Sequence, residues 1–248
     1  MVSLLAVCGV DVDQEFIPHH LPFYAERGVE SFHYILHSEN PDALTGPASE
    51  QFIELAKKMG VSLSLYHWLG RFNSNVKIRR MGRIVCQLGQ EGLPLVIADM
   101  DEYHDIADYA QLRQRFPTGP CVYGQFVDVF AGTPLPNVAE VLPDVPILEQ
   151  FPVRRRSFAK RADICGCTTK PIVLFTPRYT RCHGMAGYTV DQFRRRNAVV
   201  RIFHVRWTTS RRDKSLERAE SFRAQGLVHW TASRNSAEYL ESCPVYER

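Results

Sequence analysis

The chain has 248 residues, 45% of them hydrophobic and 23% charged, with 15 Gly and 15 Pro. It is long enough to bury a large core without disulfide or metal staples, which excludes collagen-like, low-complexity and disulfide-framework classes. Its 30 basic and 27 acidic residues leave a net charge of +3, well short of the basic excess of a dedicated nucleic-acid binder, so no nucleic-acid partner is expected.

In chain order, Ser3 to Val10 is an apolar run of strand length that leads straight into Asp11 and Asp13. Gln14 to Arg27 has helical spacing of Phe16, Ile17, His20, Phe23 and Tyr24 and stops at Gly28. His19 and His20 are adjacent, which predicts one facing the sheet and the other solvent. Ser31 to Leu36 reads as a strand, Ala48 to Met59 as a helix ending at Gly60, and Val61 to Tyr66 as a strand. Val76 to Leu88 is helical and Leu93 to Ala98 is a fourth buried strand. Alternating strand and helix predicts an α/β fold with a parallel sheet, and ligands of such sheets sit beyond the carboxyl ends of the strands. Further on, Cys121 to Phe130, Lys170 to Phe175 and Val199 to Trp207 read as strands, Leu135 to Phe151 is broken by prolines, and Ser215 to Gln225 is a surface helix. The N-terminus lacks a basic leader, and no segment approaches the about 18 apolar residues of a membrane span. Together with 7 scattered cysteines, an odd number, this predicts a cytoplasmic location.

The sharpest feature is Ala98-Asp99-Met100-Asp101-Glu102, three carboxylates directly after an apolar strand. Like charges packed together cost free energy unless a cation or hydrogen-bond donors offset it. In an extended segment Asp99 and Asp101 project to one side, the spacing that lets two carboxylates grip one divalent ion, and hard oxygen ligands favour Mg²⁺ or Mn²⁺ over Zn²⁺. A solvated acidic turn is the alternative reading of the same residues.

The Asp99-Met100-Asp101-Glu102 motif after a fourth strand resembles the metal-binding motif of GT-A-fold glycosyltransferases. Glu15-Phe16-Ile17-Pro18-His19-His20 and Gly28-Val29 resemble the opening of bacterial glycosyltransferase family 2-like and family 92-like proteins, although Cys8-Gly9-Val10-Asp11 stands where those relatives have Arg-Asn-Glu. Phe126-Val127-Asp128-Val129-Phe130, Leu148-Glu149-Gln150-Phe151-Pro152, Lys170-Pro171-Ile172-Val173, His183-Gly184 and Phe203-His204-Val205-Arg206-Trp207 follow in the order those relatives show. The resemblance implies a GT-A three-layer domain over 1–248, with a donor half at 1–104 and an acceptor half at 105–248. It also implies transfer of a sugar from a nucleotide donor, a UDP-sugar first, to a hydroxyl of a glycan or small-molecule acceptor.

On this reading Asp101 and Asp99 are metal ligands, with Asp99 also near the donor and Glu102 orienting the motif from behind. His204 completes the metal shell, and Asp11, Lys77 and Arg80 are donor contacts; Arg83 shares the helical face of Lys77 and Arg80. An inverting reaction needs a carboxylate base. Asp128 and Glu149 both lie in semi-apolar surroundings that raise a carboxyl pKa; Glu149 is preferred because its segment resembles, in order, the acceptor-side acidic motif of GT-A enzymes, and Asp128 is the alternative. His183 could bind metal or phosphate, or be a packed histidine. Cys165-Gly166-Cys167 with Cys182-His183 has spacing too tight for an ordinary zinc site. Arg154 to Arg156, Arg194 to Arg196 and Arg211-Arg212, read as loop or helix-edge clusters, could contact anionic lipid, nucleic acid or donor phosphates; no stacking aromatics interleave them, which favours solvated surface. A metal-dependent nucleotidyltransferase or phosphohydrolase is the rival enzyme, though no Gly-rich phosphate loop is present. A non-catalytic nucleotide-sugar-binding protein is the third reading. Simple repulsion between Asp99 and Asp101 predicts that neutralising either leaves the metal-free protein equally stable or more so.

Overall fold

The computed structural model describes residues 1–89, 93–117, 121–156, 158, 169–175, 181–182, 185–186, 200–226 and 230–247. The elements are β1 (Ser3–Gly9), a 3-10 turn (Gln14–Phe16), α1 (Ile17–Ala25), β2 (Ser31–Ser38), α2 (Pro41–Thr45), α3 (Pro47–Met59), β3 (Ser62–Leu69) and α4 (Ser74–Gly89). They continue with β4 (Leu95–Ile97), β5 (Glu102–His104), α5 (Leu112–Arg115), β6 (Cys121–Phe130), α6 (Ile147–Gln150), β7 (Val153–Arg156) and β8 (Thr169–Leu174). Last come β9 (Arg181–Cys182), β10 (Met185–Ala186), β11 (Val200–His204), α7 (Thr209–Ala224) and α8 (Trp230–Glu241).

Nine strands form one sheet in the order β3-β2-β1-β4-β8-β6-β11-β5, with β7 also paired to β6. Strands β1 to β4 are mutually parallel, β6 and β11 run with them, and β8, β5 and β7 are antiparallel to their neighbours. The fold is α/β, as the strand-helix alternation predicts, and the sheet takes strands from both expected halves. Along β1 the pleat sends Leu4, Ala6 and Cys8 to one face, where they pack with Ile17, Leu21 and Phe52 of α1 and α3. Leu5 and Val7 go to the other face and pack with Met81, Ile84 and Val85 of α4. Helices therefore cover both faces, which is why β1 reads as a continuous apolar run rather than an alternating one. Each fully buried side chain of this size contributes about 1.5–3 kcal/mol. α3 ends where Gly60 adopts φ +67, a left-handed conformation that costs glycine little, and the Val61 N–H then bonds the Ala56 carbonyl at 3.1 Å.

Because β2 and β3 lie on one side of β1 and β4 on the other, the chain reverses its winding between β1 and β4. Crevices open at the carboxyl ends of strands at such a reversal.

Several local expectations are corrected. The segment from Gln14 starts as a 3-10 turn before α1. His19 and His20 are both buried, because α1 packs under loop residues as well as against the sheet; the His20 Nδ1 lies 2.9 Å from the Tyr34 hydroxyl, and burial pulls its pKa down to about 3. Arg154 to Arg156 form β7, an edge strand, rather than a loop. α7 starts at Thr209, ahead of the expected Ser215, where the Thr208 hydroxyl accepts the Arg211 N–H at 3.4 Å and caps it. Cys165, Cys167, His183 and Arg194 to Arg196, and the side chain of Cys182, lie outside the described residues. Among the described residues no helix is long and apolar enough to cross a membrane.

Candidate functional site

The acidic motif is not extended. β4 ends at Ile97, and the chain turns so that the Glu102 N–H bonds the Asp99 carbonyl at 3.0 Å before β5 begins. The turn buries Met100 and is tied down from two sides. The Tyr24 hydroxyl on α1 donates to the Glu102 carbonyl at 2.9 Å, and the Val205 N–H after β11 donates to the Asp101 carbonyl at 2.8 Å. β5 exists because these residues pair antiparallel with β11, bringing His204 opposite Glu102. The parallel pairing of β11 with β6 places His204 opposite Asp128.

Asp99 and Asp101, the two aspartates of the motif, line together with Glu102 a cleft of about 680 Å³ at the carboxyl ends of β1, β2, β4 and β11. Each aspartate carries its own set of cations. The Lys77 Nζ is 2.7 Å from the Asp99 Oδ1, and the Lys170 Nζ is 3.6 Å from the Asp99 Oδ2 while also bonding the Glu102 carboxylate. The Glu102 Oε2 accepts the Asp99 N–H at 3.0 Å, so this buried side chain braces the turn from behind. The Asp101 Oδ2 is 3.0 Å from the His204 Nε2 and 2.9 Å from the Arg211 Nη1. Arg211 reaches the Asp13 Oδ1 at 2.7 Å with its other terminal nitrogen.

Burial alone would raise these carboxyl pKa values. At Asp99 it is outweighed by Lys170 and Lys77, and at Asp101 by Arg211 and His204, so both are held well below the usual carboxylate range. Glu102 is raised, because burial and the neighbouring Asp99 and Asp101 outweigh Lys170. The His204 imidazole is buried too, but Asp101 and Asp128 outweigh that and push it up to about 9. Its ring thus stands as a cation between two carboxylates, with Nε2 on Asp101 and Nδ1 3.5 Å from the Asp128 Oδ1. In the metal-free fold both ring nitrogens face carboxylates, and His204 is an ion-pair partner of Asp101 and Asp128.

A pH dependence follows. A folded-state pKa raised above the unfolded value of about 6.5 stabilises fully below that value and is lost as pH rises through about 9. In EDTA, wild type is expected to lose about 2–3 kcal/mol between pH 6.5 and 9.5, and His204→Gln to lose this slope. A wild-type denaturation midpoint flat across that window would show His204 to be neutral in the fold.

The cleft's other wall is aromatic. His37, Phe72 and Phe222 line it. The His37 Nε2 donates to the Gly70 carbonyl at 2.7 Å, and its ring lies 4.2 Å from that of Trp68. Phe72 stacks 5.9 Å from Phe222 of α7, and the Gln225 side chain donates to the Phe72 carbonyl at 3.3 Å. Asp11 is exposed at the mouth, accepting the Ser38 hydroxyl at 2.8 Å.

Asp11, Lys77, Asp99, Asp101 and His204 are thus brought to one cleft. Arg80 and Glu149 are not among its described lining residues. The Arg80 guanidinium lies over Trp68 at 5.7 Å, Arg83 is exposed, and Glu149 is exposed on α6 rather than in the semi-apolar setting its neighbours in sequence suggest. Asp128 is buried behind His204. Lys170 was not singled out by sequence reasoning, and Arg211 entered only as part of an arginine cluster read as able to contact donor phosphates or as solvated surface. The signal for Lys170 is a lone cation inside the apolar strand Thr169-Lys170-Pro171-Ile172-Val173-Leu174; Arg211 differs from Arg212 only by which face of α7 it occupies.

Among the described residues, no three His, Cys, Asp or Glu side chains converge as a metal cage. The pair Asp99 and Asp101 nevertheless fits Mg²⁺ or Mn²⁺ by chemistry, since such ions are commonly held by one or two carboxylates and take their other ligands from water and substrate phosphates.

No family profile matches the chain, and no curated protein matches it. Solved structures that are similar include S. aureus TarS, with 14% identity over 66% of this chain and 30% of that chain at a TM-score of 0.33. The chain therefore spans about a third of TarS. The mannosyltransferase PcManGT from Pyrobaculum calidifontis, in complex with GDP-Man and Mn²⁺, has 9% identity over 97% of this chain and 70% of its own at 0.40. A 4-diphosphocytidyl-2C-methyl-D-erythritol synthase has 12% identity over 98% of this chain and 87% of its own at 0.34.

Proposed function

We propose that the chain transfers a glycosyl group from a nucleotide-diphosphate sugar, with UDP-sugars the first donors to test, to a hydroxyl of a glycan or small-molecule acceptor. The observation that carries this reading is the pairing, within one cleft at the strand ends, of a carboxylate turn interleaved with Lys77, Lys170 and Arg211 and an aromatic wall of His37, Phe72 and Phe222. A flat base fits against aromatic faces, and a diphosphate fits against clustered cations. In this reading Asp99 and Asp101 would hold Mn²⁺ or Mg²⁺, which supplies charge stabilisation to the departing nucleoside diphosphate. Lys77, on the first turns of α4, extends to the diphosphate from the side of Asp99, and Asp11 at the mouth reaches the ribose or sugar. Glu102 and Lys170 hold the turn in place. Neither Glu149 nor Asp128 is among the described residues that line the cleft, so the acceptor's proton is assigned to neither.

The test is calorimetric titration of UDP and GDP with Mn²⁺ or with EDTA, followed by product analysis with the sugar nucleotide that binds. The expected outcome is nucleotide binding that tightens with Mn²⁺, weakens at least tenfold in Lys77→Ala, and leads to release of nucleoside diphosphate. Pyrophosphate as product would transfer the assignment to nucleotidyl transfer. Binding of neither nucleotide in either condition would remove the donor reading.

A further inference from the structure

The inference concerns Arg211 and rests on the donor reading above. Arg211 stands in the first turn of α7 and lines the cleft. Its two terminal nitrogens bridge Asp101, on the turn after β4, and Asp13, on the loop after β1, at 2.9 and 2.7 Å. Glu15 beside it is already held by the Thr208 and Ser210 hydroxyls at 2.8 and 2.5 Å. The guanidinium Nε is buried with no hydrogen-bond partner among the described residues. A buried donor left unsatisfied carries the full cost of its lost hydration, so this arrangement has a better one available to it.

We propose that Arg211 is an internal counter-ion, which holds Asp101 and Asp13 until the donor arrives and then passes its guanidinium to the donor diphosphate as Asp101 turns to the divalent ion. The charge pattern of the site argues for the exchange. Lys77 lies on Asp99, Lys170 on Asp99 and Glu102, and Arg211 on Asp101 and Asp13, three cations against four carboxylates, with the His204 imidazole also on Asp101, so the cluster is close to balanced. A divalent ion entering alone adds two positive charges and competes with Arg211 for the same carboxylate. A diphosphate entering alone adds negative charge beside Asp99 and Asp101. Entering together they cancel, and Arg211 gains phosphate oxygens that match its planar fork and can satisfy Nε as well. Uncompensated charge in a buried setting is costly, so each ligand should bind poorly without the other. By linkage the two must strengthen one another by the same factor.

The experiment measures Mn²⁺ alone, UDP in EDTA, and UDP in Mn²⁺, by calorimetry, on wild type, Arg211→Gln and Arg211→Lys, with melting temperatures recorded alongside. Wild type is expected to bind UDP at least tenfold more tightly with Mn²⁺ than with EDTA. In Arg211→Gln the two affinities should move in opposite directions: Mn²⁺ alone at least threefold tighter, because Asp101 is released, and UDP in Mn²⁺ at least tenfold weaker. Arg211→Lys keeps a charge and should show the same split at smaller size, which keeps the test decisive if the glutamine variant folds poorly. Loss of both affinities together in both variants would make Arg211 a positioning residue for Asp101 and overturn the proposal, as would no change in either. If wild type binds UDP but the split is absent, only the counter-ion proposal fails; if wild type binds no nucleotide with Mn²⁺, the donor reading fails and takes the proposal with it.

Discussion

Asp101→Asn is expected to lower the melting temperature of the metal-free protein by about 6–12 °C and to weaken UDP binding in Mn²⁺ at least tenfold. The first figure comes from the partners of Asp101. Its carboxylate is buried against the His204 imidazole and the Arg211 guanidinium. Removing one partner from a buried ion pair costs about 3–5 kcal/mol, and we expect the lower end because the asparagine carbonyl still accepts from one of the two cations. In a chain of this size about 1 kcal/mol corresponds to about 2–4 °C. The second figure follows from the loss of one of the two carboxylates proposed to hold the divalent ion. Repulsion between Asp99 and Asp101, taken alone, predicts an unchanged or more stable metal-free protein. The sign is reversed by the four cations that the fold brings to those two carboxylates. Calorimetry of the variant in EDTA, with nucleotide titration in Mn²⁺, checks both parts. Unaltered stability would mean that Arg211 and His204 are not held by Asp101. Unaltered nucleotide binding would remove the acidic turn from the proposed site.

Lys170→Met is expected to be the most destabilising single change in the cluster, at about 3–5 kcal/mol. Lys170 is buried in β8, between β4 and β6, where it pairs with the buried Glu102 and reaches Asp99. Asp99 retains Lys77, but among the described residues Glu102 has no second cation within ion-pair distance, so the methionine leaves a carboxylate stranded at the base of the turn. Glu102 would then take up a proton in the fold, and the stability of the variant should fall further as pH rises above the ordinary glutamate range. The double variant Lys170→Met/Glu102→Gln removes both charges and should recover at least about 1 kcal/mol of the loss, the signature of direct coupling. Urea unfolding of Lys170→Met, Glu102→Gln and the double variant measures this. Strictly additive losses would show that Lys170 and Glu102 do not act on one another.

Much of the scaffold was legible along the chain, because strands and helices here announce themselves locally. β6 begins and ends at the expected residues, and β1, β2, α3, β3 and α4 lie within a few residues of the expected bounds, since each is an apolar run or a helical period closed by Gly, Pro or a polar turn. The acidic motif stood out for the same reason: three carboxylates after an apolar strand are visible without any partner. Elements and roles that depend on residues far apart were not legible. β5 forms only because β11, about a hundred residues later, supplies its hydrogen bonds, and β7 was masked by three arginines whose strand geometry is dictated by pairing with β6. Glu149 sits among apolar neighbours in sequence but at the surface in space, because a one-turn helix at the end of a proline-rich segment buries Ile147 and Gln150 instead.

By itself, then, the sequence determined the α/β class, the strand ends at which a site would lie, and the two aspartates that face the cleft. Only the tertiary structure decided what those aspartates meet: Lys77 from α4, Lys170 from β8, His204 from β11 and Arg211 from α7. The reason is physical. Hydrophobic periodicity is a property of neighbours in the chain, whereas the charge state of a buried carboxylate is set by whichever cations the sheet order and helix docking bring within about 4 Å of it.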